Sequence, residues 1–324
     1  MRYRTLLPSL LTLALALAGC GDDGVDPNGD DAGDKIPPSG DEHTLSFKVV
    51  FGEEEAECGK LYEGFGPDGD QRAGLEELRF YIHGVELVTA DGARVRATVV
   101  DDAPWQDSGV AYLHFANPSD GCLSGDALRD EIRIVAPEGD YEGLVFQLGV
   151  PAELNHLDPS LASSPLNIGP MSWGWMMGYL YFRAELSVEA EGDEHGDDGG
   201  GEHDDEHDDH DHGSTDNFAI HVGSMACEGT LVPEPDITCD HPNRGTIELP
   251  NFKLGSDTIL IDLAALVGAT DLRPEGEAHH GSAGCMAEID PEGEGYIECV
   301  EPMTSLGIDY GMHPASMDAF RVAN

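Results

Sequence analysis

The sequence is poor in positive charge and has no long apolar run. Against 64 aspartates and glutamates stand 16 lysines and arginines, giving a formal net charge of −48 over 324 residues. Such a chain repels phosphate backbones, which excludes nucleic acid as a partner and favours cations or basic proteins. No stretch approaches the roughly 20 apolar residues of a membrane-spanning helix. Long amphipathic helical patterns are scarce, and none of the seven cysteines forms a C-x-x-C pair. Enzyme signatures are missing too: there is no G-x-S-x-G elbow, no Walker loop and no dinucleotide fingerprint. Pro67-Asp-Gly-Asp70 opens like a calcium loop, but Arg72 stands where the third oxygen ligand belongs, so the segment reads as a polar turn.

What is present begins with an export signal. Arg2 and Arg4 precede an apolar run from Leu6 to Ala18, and Leu17-Ala-Gly-Cys20 resembles a bacterial lipobox. Residues 1–19 then read as a lipoprotein signal peptide and Cys20 as the lipidated first mature residue. Gly21, rather than Asp, follows it, which implies an outer-membrane anchor facing the periplasm or the cell surface. Residues 20–42 are Gly, Asp and Pro with almost no large apolar side chain, a composition expected of a disordered acidic tether.

From His43 onward, short alternating segments separated by Gly, Pro, Asp and Asn turns predict strands over 44–51, 78–88, 95–100, 109–115, 131–135, 144–148, 171–188, 218–222, 245–249 and 258–262. Short helices are expected over 126–130 and 262–267. The pattern is that of a mainly β, mostly antiparallel sandwich with long loops, a single domain over 43–324. Residues 191–216 interrupt it. Glu191–His212 holds twelve acidic residues, five histidines and five glycines, too polar to build a core. His195, His203, His207, His210 and His212 make it either a loose divalent-metal loop or an inert solvated one. Six exported cysteines favour disulfides, and sequence cannot choose among the fifteen pairings. Coupling near neighbours gives Cys227 with Cys239 and Cys285 with Cys299, leaving Cys58 with Cys122.

The richest stretch is Met171–Phe182, which holds Trp173 and Trp175, two of three tryptophans. As a strand it would place both indoles on one face, with Cα atoms roughly 6.5–7 Å apart. The plain reading is core packing. Three histidines lie where strands or a turn can aim them at a ligand: His83 on the face of Arg79, Tyr81 and Val85, His221 opposite Phe218, Ile220 and Val222, and His156 in Asn155-His-Leu-Asp158. Asp158 has the spacing of a carboxylate that fixes an imidazole tautomer.

The chain resembles the MbnP-like family, the metallo-mystery pair proteins with a four-cysteine motif. The resemblance rests on Cys58-Gly59, Leu78–Leu87, Gly149–Pro159, Ser164-Pro-Leu-Asn167, Trp173-Gly-Trp175 through Gly178-Tyr179, Phe218–Cys227, Asn243-Arg244, Ile261–Leu266 and Gly284-Cys285-Met286. Leu180 and Tyr181 depart from it, since the family pattern carries an aromatic and a lysine after Gly-Tyr. The resemblance implies an exported copper-binding protein, not an enzyme, whose partner is a MauG-like diheme cytochrome c peroxidase. That partner would convert Trp173 or Trp175 to kynurenine, and the product would bind copper with His83, His156 and His221, Met171 or Met177 adding a thioether. An indole nitrogen has no free lone pair, whereas the aryl amine and ketone of kynurenine have them. Two other classes stand beside this reading: a general Zn, Ni or Cu scavenger working through the 191–216 loop, and a hydrolytic metalloenzyme using the same three histidines.

Overall fold

The alternation over Leu78–Val88 is realised as part of a 19-residue strand, Gln71–Thr89, and the larger sheet is built outward from it. The computed structural model describes residues 39–116, 122, 127–189, 215–230, 236–273, 283–287 and 296–323. Leu78, Phe80 and Ile82 turn into the main core, while Tyr81 belongs to a second, smaller one on the opposite face. By the two-residue period of a strand, Arg79 and His83 share the face of Tyr81.

Residues 73–80 of this strand pair antiparallel with Leu180–Glu189, and residues 82–89 pair with Tyr141–Leu148. Val110–His114 pairs with residues 79–83 and therefore overlaps both partners. A strand has two edges, so the two partners follow one another along the same edge and part at Tyr81. There the Gly149 N–H donates to the Tyr81 carbonyl at 2.7 Å. Thr246–Pro250 extends the sheet beyond Tyr141–Leu148, and Thr215–Gly223 beyond Leu180–Glu189.

The second sheet runs Phe320–Val322, Thr258–Asp262, Asp41–Phe51, Glu131–Ala136, Thr98–Val99. Its inward side chains close the main core, Phe47 meeting Phe80 and Phe146 edge-on at 6.3 and 6.2 Å. Edge-on packing sets the positive ring rim against the negative face. The architecture is a mainly β sandwich stapled by disulfides Cys58–Cys122, Cys227–Cys239 and Cys285–Cys299. Among the described strands, Asp41–Phe51 pairs in parallel with Thr258–Asp262, and Thr215–Gly223 with Ala283–Cys285.

Several expectations need correction. The strand expected over 171–188 begins only at Leu180, because residues 171–178 form a tight turn. Residues 94–99 form two short strands broken at Ala97, which donates its N–H to Val85. The first strand starts at Asp41, before His43, with Glu42 paired to Arg133. Residues 127–130 are not helical, whereas Tyr296–Ser305 is a helix that no long periodic pattern announced. An antiparallel pair of Met225–Thr230 and Asp236–His241 stands where the turn pattern predicts no strand; Cys227 and Cys239 are opposite each other in it. The described residues fall within one unit, Pro38–Asn324. The signal segment, Cys20 and the loop histidines His195, His203, His207, His210 and His212 lie outside the described residues.

Candidate metal centre at the parting of two strands

The outer face of the larger sheet is covered by the long connection between Leu148 and Leu180. Tyr81, Tyr112, Tyr179 and Tyr181 are buried there with Val150, Leu166 and Met171. Buried phenols need acceptors, and two of these find them in the connection itself. Tyr81 donates to the Pro165 carbonyl at 3.0 Å and Tyr179 to the Leu166 carbonyl at 2.8 Å. Burial raises the Tyr179 pKa to about 12, so this tether stays protonated.

At the end of this small core, where the two strands part, five chain segments meet. His83 places Nδ1 2.8 Å from the Gly149 carbonyl. The Gly149 Cα has no room for a side chain, since a Cβ would sit 2.5 Å from the Tyr181 ring. The Tyr181 hydroxyl is 2.6 Å from Ser224 Oγ, and Ser224 Oγ accepts from Asn155 Nδ2 at 3.2 Å. Asn155 is fully buried and uses its oxygen to accept the Tyr179 N–H at 3.1 Å. Arg244 donates Nε–H to the Val150 carbonyl at 2.6 Å and lies over the Tyr181 ring, 5.2 Å from its centroid.

His156 sits next to Asn155, with Nδ1 2.8 Å from the carbonyl of Trp175. A carbonyl can only accept, so in both His83 and His156 the proton is on Nδ1 and the lone pair is on Nε2, which in His156 accepts from Asn155 Nδ2 at 3.2 Å. Burial lowers the pKa of both imidazoles, and the neighbouring Arg244 lowers both further. The result is two neutral histidines in the tautomer that a metal ion requires.

Trp173-Gly-Trp175 forms a turn rather than a strand. Trp173 N–H donates to the Gly178 carbonyl at 3.0 Å, and Gly178 N–H to Gly174 at 2.8 Å. Gly174 and Gly178 adopt φ of +95° and +83°, which a side chain would resist. The indoles therefore do not share a strand face. Trp173 packs against the small core, its ring over Gly223, while Trp175 is 43% exposed at the turn.

The expected convergence of three imidazoles is not what the fold builds. His221 pairs in register with Arg183, and Arg183 with Arg79, two strands across from His83 and four residues back along it. Strand spacing and rise put the His83 and His221 Cα atoms roughly 16 Å apart, too far to share one ion. His221 Nε2 instead meets Glu185 at 2.6 Å, within a buried charge network of Glu77, Arg79 and Arg183. Asp158 is also elsewhere: it is exposed and caps Ser160, while the Trp175 carbonyl does the orienting expected of it. Met171 is buried in the small core, and Met177 is half-buried in the turn.

His156 has a further neighbour that spacing did not disclose. Its Nε2 lies 3.6 Å from Cys239 Sγ, and the ligand atoms of His156, Cys227 and Cys239 lie within 4.8 Å of one another. Joined as a disulfide, these sulfurs carry no thiolate charge and are poor ligands, which leaves the imidazole as the one strong donor of the three. Arg244 was visible beforehand only as part of a matching motif, without a role.

A family model described as MbnP matches residues 40–287. No curated protein matches the chain by sequence. The solved structure of MbnP from Methylosinus trichosporium is similar in fold, with a TM-score of 0.68 at 24% identity, covering 87% of this chain and 98% of that one.

Proposed function

The chain belongs to the MbnP family, and from that premise we propose that it binds copper at the parting of the two strands, after oxidation of a tryptophan in the 173–175 turn. The observation that carries this reading is the pair of anchored imidazoles. His83 and His156 each commit Nδ1 to a backbone carbonyl, Gly149 and Trp175 respectively, and carry the lone pair on Nε2, where a metal would take the place of the hydrogen bond that His156 accepts from Asn155 Nδ2 at 3.2 Å. Imidazole nitrogen suits copper, and a neutral pair needs no deprotonation to bind it.

His83 and His156 would hold the ion, with a kynurenine amine or ketone from Trp173 or Trp175 as the third donor. Unmodified indole fails as a ligand, so oxidation acts as the step that completes the site. The exposed Trp175 is open to an external oxidant, for which a diheme peroxidase of the MauG type is the proposed partner. Met177 is the remaining thioether candidate. Export and lipidation at Cys20 would place the protein on the outer membrane, where copper arrives from outside.

The test is the mass of the peptide spanning Met171–Arg183 from native cells. The reading predicts loss of one carbon and gain of one oxygen on one tryptophan, together with one copper per chain. Two intact tryptophans in a protein that nonetheless carries copper would refute it.

A further inference from the structure

The Cys227–Cys239 bond is the most accessible of the three disulfides. Both its cysteines are half-buried, whereas Cys285 and Cys299 are both buried and half-buried Cys58 is joined to buried Cys122. It also stands beside an imidazole whose unprotonated nitrogen faces it: His156 donates from Nδ1 to Trp175, and its Nε2, which accepts from Asn155 Nδ2 at 3.2 Å, lies 3.6 Å from Cys239 Sγ. All three ligand atoms fall within 4.8 Å of one another, a span that one tetrahedral or trigonal ion can bridge by small shifts.

We propose that Cys227, Cys239 and His156 form a second, redox-gated metal site, closed while the disulfide is intact and opened by a dithiol reductant to hold cuprous or zinc ion. The proposal shares only His156 with the copper site above and does not require an altered tryptophan. The chemistry balances in two exchanges. A thiolate of the reductant attacks one sulfur, breaking the Cys227–Cys239 bond and forming a mixed disulfide; its second thiol then displaces that cysteine, and the dithiol leaves oxidised by two electrons. Both cysteines emerge as thiols, and metal binding releases their two protons. The resulting S₂N set is softer than the imidazole set and prefers cuprous or zinc ion, leaving a position for water or a fourth donor. Both sites claim the same imidazole, so reduction would also draw the ion away from His83.

The full exported chain with unmodified tryptophans is treated with limiting dithiothreitol, freed of it anaerobically and titrated with Co²⁺. Alkylation and mass analysis identify the opened bond. The expected result is that the Cys227–Cys239 bond opens first and that an intense thiolate-to-cobalt band then saturates at one ion per chain. The band should be absent from the oxidised chain and from Cys227→Ser/Cys239→Ser. His156→Ala, which keeps both thiols, should bind about tenfold or more weakly. No band after that bond opens, a band that survives the double serine variant, or earlier opening of another disulfide would overturn the proposal. Copper bound by the oxidised, tryptophan-modified chain reports on the earlier reading alone, so the two fail separately.

Discussion

The carbonyl of Trp175 accepts the Nδ1–H of His156 at 2.8 Å. The turn that carries the two tryptophans thus also fixes the tautomer of a candidate ligand. Oxidising either indole leaves this backbone bond intact, so a new donor would appear beside an imidazole already aimed. That coupling joins the local geometry of a six-residue turn to the function proposed for it.

Acid should weaken the metal-free fold through these histidines. Burial and Arg244 hold His83 and His156 below the usual histidine pKa. Below about pH 6.5 the unfolded chain takes up protons that the folded chain refuses. Stability from this source is complete above that pH and declines as pH falls through the folded values. Thermal unfolding between pH 8 and 5 should show a smaller acid loss in His83→Gln/His156→Gln than in the unaltered chain. An equal loss would remove the histidines as its cause.

Gly149→Ala should disturb fold and site together. A Cβ would meet the Tyr181 ring at 2.5 Å, and the position has φ +98°. The combined strain should cost about 1–3 kcal/mol and shift the carbonyl that orients His83. Denaturant unfolding and copper titration should both register the change. Unchanged stability would show that Tyr181 moves aside freely.

Gly223→Ala presses on the tryptophan and on the backbone beside it. Its Cβ would stand 2.8 Å from Trp173 Cζ3 and 2.8 Å from the Tyr179 carbonyl oxygen. The indole must tilt away from the small core, so Trp173 fluorescence should shift to the red, read in a Trp105→Phe/Trp175→Phe background. An unshifted spectrum would mean that the ring does not rest on Gly223.

Deleting residues 192–212 should leave tight copper binding in place, because both anchored imidazoles lie in the sandwich. Loss of binding on deletion would instead favour the scavenging loop. Equilibrium dialysis of the deleted and full chains decides between them.

His83 could be placed from sequence because alternation from Leu78 to His83 sets its face; beyond it a register shift at Gly84, φ +61°, turns Val85 into the main core instead of onto the His83 face. The disulfide pairing was not dictated by sequence, which allows fifteen; coupling near neighbours matches the pairs 12 and 14 residues apart, and Cys58–Cys122, 64 apart, is what that leaves. The orientation of His156 was not legible: its partner is the carbonyl of Trp175, and no side-chain pattern encodes a backbone acceptor 19 residues away. The aromatic alternation of Met171–Phe182 misled because Gly174 and Gly178, at positive φ, bend the chain before the strand begins. His221 misled for another reason: an outward-facing histidine looks the same in sequence whether its partner is a metal or Glu185.

The most direct measurement is competitive copper titration of the native, tryptophan-modified protein against three single variants. His83→Ala and His156→Ala should each weaken binding by about 100-fold or more, while His221→Ala stays within about threefold of the unaltered protein. Full affinity in either of the first two, with loss in His221→Ala, would contradict a copper site built where Leu180–Glu189 and Tyr141–Leu148 part.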